Sequence, residues 1–264
     1  MTTIIDGSTG VIFPAGGVGN PVGTVVGTTD TQTLTNKTLI GPNITSATIA
    51  MIAGTSTLVP LDFTAGTLVT TPIAGGFEYD GKLPYFTPQG TQRGLMPAAQ
   101  YYRLNTANVG ANVNTAQSVF GASVTLSGST VYAFEGFYTL LKTAGATAHT
   151  VSYGFGGTAT VNNASFGGLG FASVSSSAPL NTNVFAGFTL SLANTAYTTS
   201  LASANVFTTV RFWGTVSVNA GGTFTPQYIL SAAPGGAYTV QIGSYINIYP
   251  VGTSGANTIV GAWA

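Results

Sequence analysis

The chain has 264 residues, with six Lys or Arg and six Asp or Glu, so charged residues are 5% of it and the formal net charge is zero. With 44% hydrophobic residues, that balance excludes a phosphate-neutralising basic face, a polybasic membrane anchor and charge-driven disorder. Cysteine is absent and histidine occurs once, which removes disulfide frameworks, thiol catalysis and Cys/His zinc sites within one chain.

Mean hydropathy is +0.37, yet no run approaches the roughly 20 consecutive apolar residues that a spanning helix needs. The opening Met1–Gly7 lacks the basic and apolar regions of a secretory signal. A soluble chain without membrane insertion is expected, its surface made of Thr, Ser, Asn, Gln and Gly. Thr is β-branched and suits a pleated surface, and Gly, at 36 copies, supplies tight turns. An all-β fold follows.

Residues 1–50 hold no continuous core. Larger apolar residues recur at Leu34, Leu39, Ile44 and Ile49, an interval of five that fits neither a helix nor a strand. Short extended pieces with turns between them, Gly41-Pro42-Asn43 for one, would put those four on one side. One chain cannot bury so thin a stripe, whereas several copies wound around a common axis can. The stripe is therefore the expected trimer axis of an extended, intertwined stalk.

Residues 51–105 read as a small β connector. Asp80-Gly81 stands between Gly76-Phe77-Glu78-Tyr79 and Lys82-Leu83-Pro84-Tyr85-Phe86, a hairpin signal. Glu78 and Asp80, two apart, would share a strand face like a glycosidase pair, but turn chemistry accounts for Asp80.

Residues 106–252 carry most of the core, and residues 253–264 form a tail ending in Ile259, Val260 and Trp263, expected to dock on the body. Strands are expected at 131–141, 149–155, 158–161, 166–174, 184–192, 205–218, 224–230, 237–243 and 245–249. Gly, Asn and Pro clusters separate them, as in a jelly roll or sandwich. Val206, Thr208, Val210, Phe212, Gly214, Val216 and Val218 share one strand face. Phe207, Thr209, Arg211, Trp213 and Thr215 share the other. One face should pack on the core and the other on a neighbouring subunit. Glu135 and Arg211 lie mid-strand among aromatics and are expected to form a structural ion pair, within a subunit or between subunits.

His149 reads as an exposed residue at a strand start, with a three-fold metal site among trimer copies as the alternative. Gly154-Phe155-Gly156-Gly157 and Gly167-Gly168-Leu169-Gly170 lack the Lys-Ser/Thr and helix of a phosphate loop and read as bulges and strand-end turns. No catalytic, cofactor-binding or metal-ligating set is expected.

Thr33-Leu34-Thr35-Asn36-Lys37-Thr38-Leu39-Ile40-Gly41-Pro42-Asn43-Ile44 resembles the T-L-T-N-K-T-L-x-x-P-x-I element of phage tail fibres and other virion surface proteins. Ile5-Asp6-Gly7-Ser8-Thr9-Gly10-Val11-Ile12-Phe13-Pro14 is similar to an opening in the same proteins, although Ala15-Gly16-Gly17 replaces the usual Asp-Gly-Ser after the Pro. The block from Gly76 to Tyr85 resembles their connector between stalk and head. Gly214 through Pro226 with Gly243-Ser244-Tyr245 resembles their C-terminal jelly-roll heads. The resemblance implies a homotrimeric fibre or capsid decoration protein located in the virion and anchored through residues 1–50. It implies capsid or tail proteins as partners, and no enzyme. A receptor-binding adhesin for a host cell-surface glycan is the alternative.

Overall fold

The computed structural model describes residues 4–6, 10–12, 51, 53–175, 178–189, 194–261 and 263. Two compact units divide the chain, Met1–Leu61 and Asp62–Ala264. In the first, β1 (Ile4–Asp6) and β2 (Gly10–Ile12) pair antiparallel with Ile5 opposite Val11. Leu34, Leu39, Ile44 and Ile49, the expected trimer axis, lie outside the described residues.

The second unit opens with a three-stranded antiparallel sheet of β3 (Phe77–Tyr79), β4 (Pro84–Phe86) and β5 (Gly94–Leu95). Its hairpin closes where Asp80-Gly81 predicts it. Gly81 has φ +91°, a left-handed conformation open to glycine, and the Asp80 carboxylate accepts from the Lys82 and Leu83 backbone N–H groups at 2.8 and 2.7 Å. Leu83 and Tyr85 are buried beneath it.

The rest is a β-sandwich. The larger sheet holds β6 (Gln100–Arg103), β7 (Asn108–Val109), β10 (Thr130–Lys142), β12 (Thr160–Ser175), β13 (Ala178–Thr189), β15 (Val206–Ala220), β17 (Thr239–Val240) and β18 (Tyr245–Thr253). The smaller holds β8 (Gln117–Ser118), β9 (Val124–Leu126), β11 (Val151–Gly156), β14 (Thr195–Ala196) and β16 (Gly222–Leu230). Every pairing is antiparallel, so the inward and outward sets alternate along each strand. The order β13-β12-β15-β10-β18-β6 seats the C-terminal strand between β10 and β6.

Rings fill the space between the sheets. Phe134, Tyr138, Phe166 and Phe212 of the larger sheet meet Tyr153, Phe155 and Phe224 of the smaller. Phe155 and Phe224 stack at 4.5 Å, and Phe134 meets Phe155 edge-on at 4.9 Å. Room for these rings comes from inward-facing glycines. A Cβ on Gly136 would stand 2.3 Å from the Phe212 ring, and one on Gly170 would stand 2.3 Å from the Tyr197 ring.

That packing corrects one expectation. Gly167–Gly170 is neither a bulge nor a turn: it runs mid-strand in β12, paired without a break to both β13 and β15. The expected strands 158–161 and 166–174 are one strand. β6, inside the expected connector 51–105, pairs with β18 of the larger sheet. The tail differs too, with Trp263 80% exposed and its indole N–H donating to Val260 O at 2.7 Å rather than entering a core.

Candidate functional site

The outward face of the larger sheet follows from the strand registers. One row across it runs Tyr101, Asn247, Glu135, Trp213 and Gly167. The next runs Arg103, Tyr245, Phe137, Arg211 and Leu169. Flanking rows add Tyr249, Ala133, Thr215 and Ser165 on one side, and Thr139, Thr209 and Phe171 on the other. The alternation read on 205–218 holds: Val206, Thr208, Val210, Phe212, Val216 and Val218 are buried, whereas Phe207, Arg211, Trp213 and Thr215 are exposed.

This face is aromatic and open. Tyr101 is 59% exposed, Trp213 47%, Phe207 46% and Phe171 41%. Tyr101 stacks on Tyr245 at 5.5 Å and Tyr245 on Phe137 at 6.5 Å, a stack across three strands. Cross-strand ring pairs of this kind stabilise a sheet surface. They also turn ring faces toward one another and leave edges outward.

Glu135 and Arg211 both stand on this face, on neighbouring strands, and both are exposed. Arg211 lies opposite Phe137 and Glu135 opposite Trp213, a diagonal offset of two residues. The structure does not join them within the chain. Among the described residues the salt bridge is Arg93–Glu78, and neither Glu135 nor Arg211 has a hydrogen bond through its side chain. Of the two forms expected for this ion pair, the one within a subunit is not formed here, since the outward face leaves both heads in water, where no burial forces them together; the one between subunits lies outside a single chain.

The remaining titratable groups have local duties. Arg93 Nε donates to Glu78 Oε2 at 2.7 Å and Arg93 Nη2 to Glu78 Oε1 at 3.1 Å, while Glu78 Oε1 also accepts from the Val69 N–H at 2.7 Å. The Arg93 hydrogen bond holds the Glu78 carboxyl below its ordinary value despite some desolvation. Asp80 caps its turn and accepts from the Tyr85 hydroxyl at 3.0 Å. Burial opposes its ionisation, and those hydrogen bonds outweigh burial and lower its pKa. Burial and Asp80 push Tyr85 up to about 12. Asp80 is thus engaged in the turn, as turn chemistry suggested, whereas Glu78, expected as its solvated partner, is tied to Arg93.

His149 is buried, not exposed, and this overturns both readings made of it. Its Nδ1 donates to Thr147 O at 2.7 Å, and its Nε2 accepts from the Tyr238 hydroxyl at 2.7 Å. Both ring nitrogens are occupied inside the protomer, so it cannot reach a shared axis. Desolvation lowers its pKa, and nearby Lys142 adds to that. Lys142 is buried as well, its Nζ donating to the carbonyls of Ala144 at 3.2 Å, Ser203 at 2.7 Å and Gly145. No sequence signal marks this cluster, since a lone histidine and a strand-end lysine are usually solvated. Among the described residues, no three His, Asp or Glu side chains gather as a metal site would require.

A polar cleft of about 430 Å³ is lined by Val131, Asn162, Asn163, Ser217 and residues 255–258. It opens where β12 shifts register against β15 between Val161 and Asn163.

No family model matches the chain, and no curated protein matches it. A solved structure of infectious bursal disease virus, Gt strain, matches over 75% of this chain at 9% identity and a TM-score of 0.16. The chain spans 55% of the length of that one. A superposition at that score carries no argument about fold or activity.

Proposed function

We propose that the chain is a structural protein of a bacteriophage virion, a homotrimeric surface fibre or capsid decoration protein anchored through its N-terminal part. The observation that carries this reading is the element Thr33–Ile44, which resembles the stalk repeat of phage fibres and includes three members of the five-residue apolar stripe. The β-sandwich that follows fits a head. Its surface is rich in hydroxyls and amides, and its larger sheet carries apolar residues on both faces. The action is mechanical: closed cyclic symmetry buries a thin stripe that one copy leaves in water, and the residues near Met1 dock on capsid or tail. No reacting group is needed for it.

Deletion of residues 1–50 tests the reading. The truncated chain is mixed with particles lacking the protein and sedimented. It should stay soluble and β-rich and remain in the supernatant, while the full chain pellets with the particles. Co-sedimentation of both forms places the anchor in the sandwich and makes the protein a cement gripping the capsid surface.

A second reading, an adhesin for a host surface glycan, is favoured by one observation. The cleft at Asn162, Asn163, Ser217 and Asn257 presents amides and a hydroxyl without a carboxylate, groups suited to sugar hydroxyls. A glycan array with the full chain tests it: signal lost in Asn163→Ala supports the adhesin, and an empty array removes it.

A further inference from the structure

We infer that the outward aromatic face of the larger sheet is where copies of this chain pack on one another, with Glu135 of one copy meeting Arg211 of the next. The count of three rests on the reading given above; the face itself does not.

Three observations point to a second copy as the occupant. The first is composition. The face presents Tyr101, Trp213, Phe171 and Phe207 exposed together, with Phe137, Leu169 and Tyr245 half-buried between them. Aromatic residues and Arg are the types enriched at protein interfaces, and scattered single exposures do not produce a continuous face of them. The second is extent. Nine residues each of β10, β12 and β15, five of β18 and four of β6, at about 4.8 Å between strands and about 3.4 Å per residue, outline about 600 Å². A stable interface of standard size takes about 800 Å² from each partner.

The third is charge. The chain has only six Lys or Arg and six Asp or Glu, and this face carries one Glu and one Arg that are unpaired among the described residues. Arg103, at the β6 end of the same row, is held by Asn105 Oδ1. Glu135 and Arg211 sit two residues apart on adjacent central strands, unjoined in the structure and opposite in sign. Faces of this kind are self-complementary. When they pack about a three-fold axis to which the strands are inclined, Glu135 of one copy comes level with Arg211 of the next. A flat sugar platform fits less well, because Tyr101, Tyr245 and Phe137 spend their ring faces on one another.

The test is the mass of the full chain in solution, by light scattering over a dilution series, with circular dichroism to confirm the fold. Wild type should be a closed multiple of the 26.6 kDa protomer. R211E sets Glu against Glu135 of the neighbour and should dissociate at roughly a hundredfold higher concentration. The swap E135R/R211E restores opposite signs and should return the wild-type mass. Trp213→Lys, on the same outward face, should dissociate without unfolding. A trimer that survives both R211E and Trp213→Lys overturns the face while leaving the virion reading intact. A wild-type dimer that R211E dissociates supports the face and overturns the count of three. A monomer at micromolar concentration overturns the face and the homotrimer together. So does a monomer whose Trp213 is required for binding a glycan or another virion protein.

Discussion

Five tyrosines, Tyr138, Tyr153, Tyr197, Tyr228 and Tyr238, are among the largest fully buried side chains. Burial raises the pKa of each, with Tyr197 at about 12 against an ordinary 10 and the other four also above 10. Above pH 10 the unfolded chain releases phenolic protons that the folded chain retains, so the unfolded state binds fewer protons and stability falls as pH rises. The contribution is whole below pH 10; the share of Tyr197 is lost between 10 and about 12, and the other four lose theirs as pH rises further above 10. Tyrosinate absorbance should therefore appear together with loss of the β signal, not before it. On the acid side His149 acts in the opposite direction, because its folded pKa lies below 6.5. The unfolded chain then binds the extra proton, and stability whole above 6.5 declines as pH falls below that value. The slope of Tm against pH just below 6.5 should flatten in His149→Phe. Asp80 gives a further test. Asp80→Ala removes an acceptor from two N–H groups and a hydroxyl and should cost about 1–2 kcal/mol in urea unfolding followed at the connector.

At the scale of single strands, periodicity made β15 legible. Alternating Val and Phe with Thr, Arg and Trp separated the two face sets, though not which of them packs on the core, because a two-residue period survives without tertiary information. Asp80-Gly81 was legible for a similar reason: the turn is chosen by local backbone geometry. Long-range packing was not legible. Gly167–Gly170 looks like loop sequence, and only the Tyr197 ring crossing Gly170 explains why glycine belongs in a central strand. His149 was not legible either. A polar ring read as exposed is buried, since burial depends on which strand lies opposite. These glycines are testable. Gly136→Ala brings a Cβ to 2.3 Å from Phe212 and 2.7 Å from Tyr245 O, a backbone atom that cannot move aside alone. It should destabilise the sandwich by about 1–3 kcal/mol while Gly66→Ala, in open space, should not.

The whole molecule holds together with almost no help from charge. Its stability comes from rings and aliphatics between two sheets, and Phe155→Ala should cost about 3–5 kcal/mol because that ring touches Phe134, Phe166 and Phe224 at once. With a single salt bridge among the described residues, sodium chloride has little to screen. Tm by calorimetry should barely move between low and physiological salt.

The position of β18 has a bearing on synthesis. It is the last of the described strands, and it sits between β10 and β6 rather than at a rim. Until it emerges from the ribosome, β10 and β6 have nothing between them, and each shows an unsatisfied row of backbone donors and acceptors. The nascent chain must hold these edges open until Tyr245–Thr253 has been made, in conditions where neighbouring copies on one message are close by. A message cut before Tyr245 should yield a product that aggregates rather than a shorter sandwich, so synthesis of β18 acts as the checkpoint for solubility.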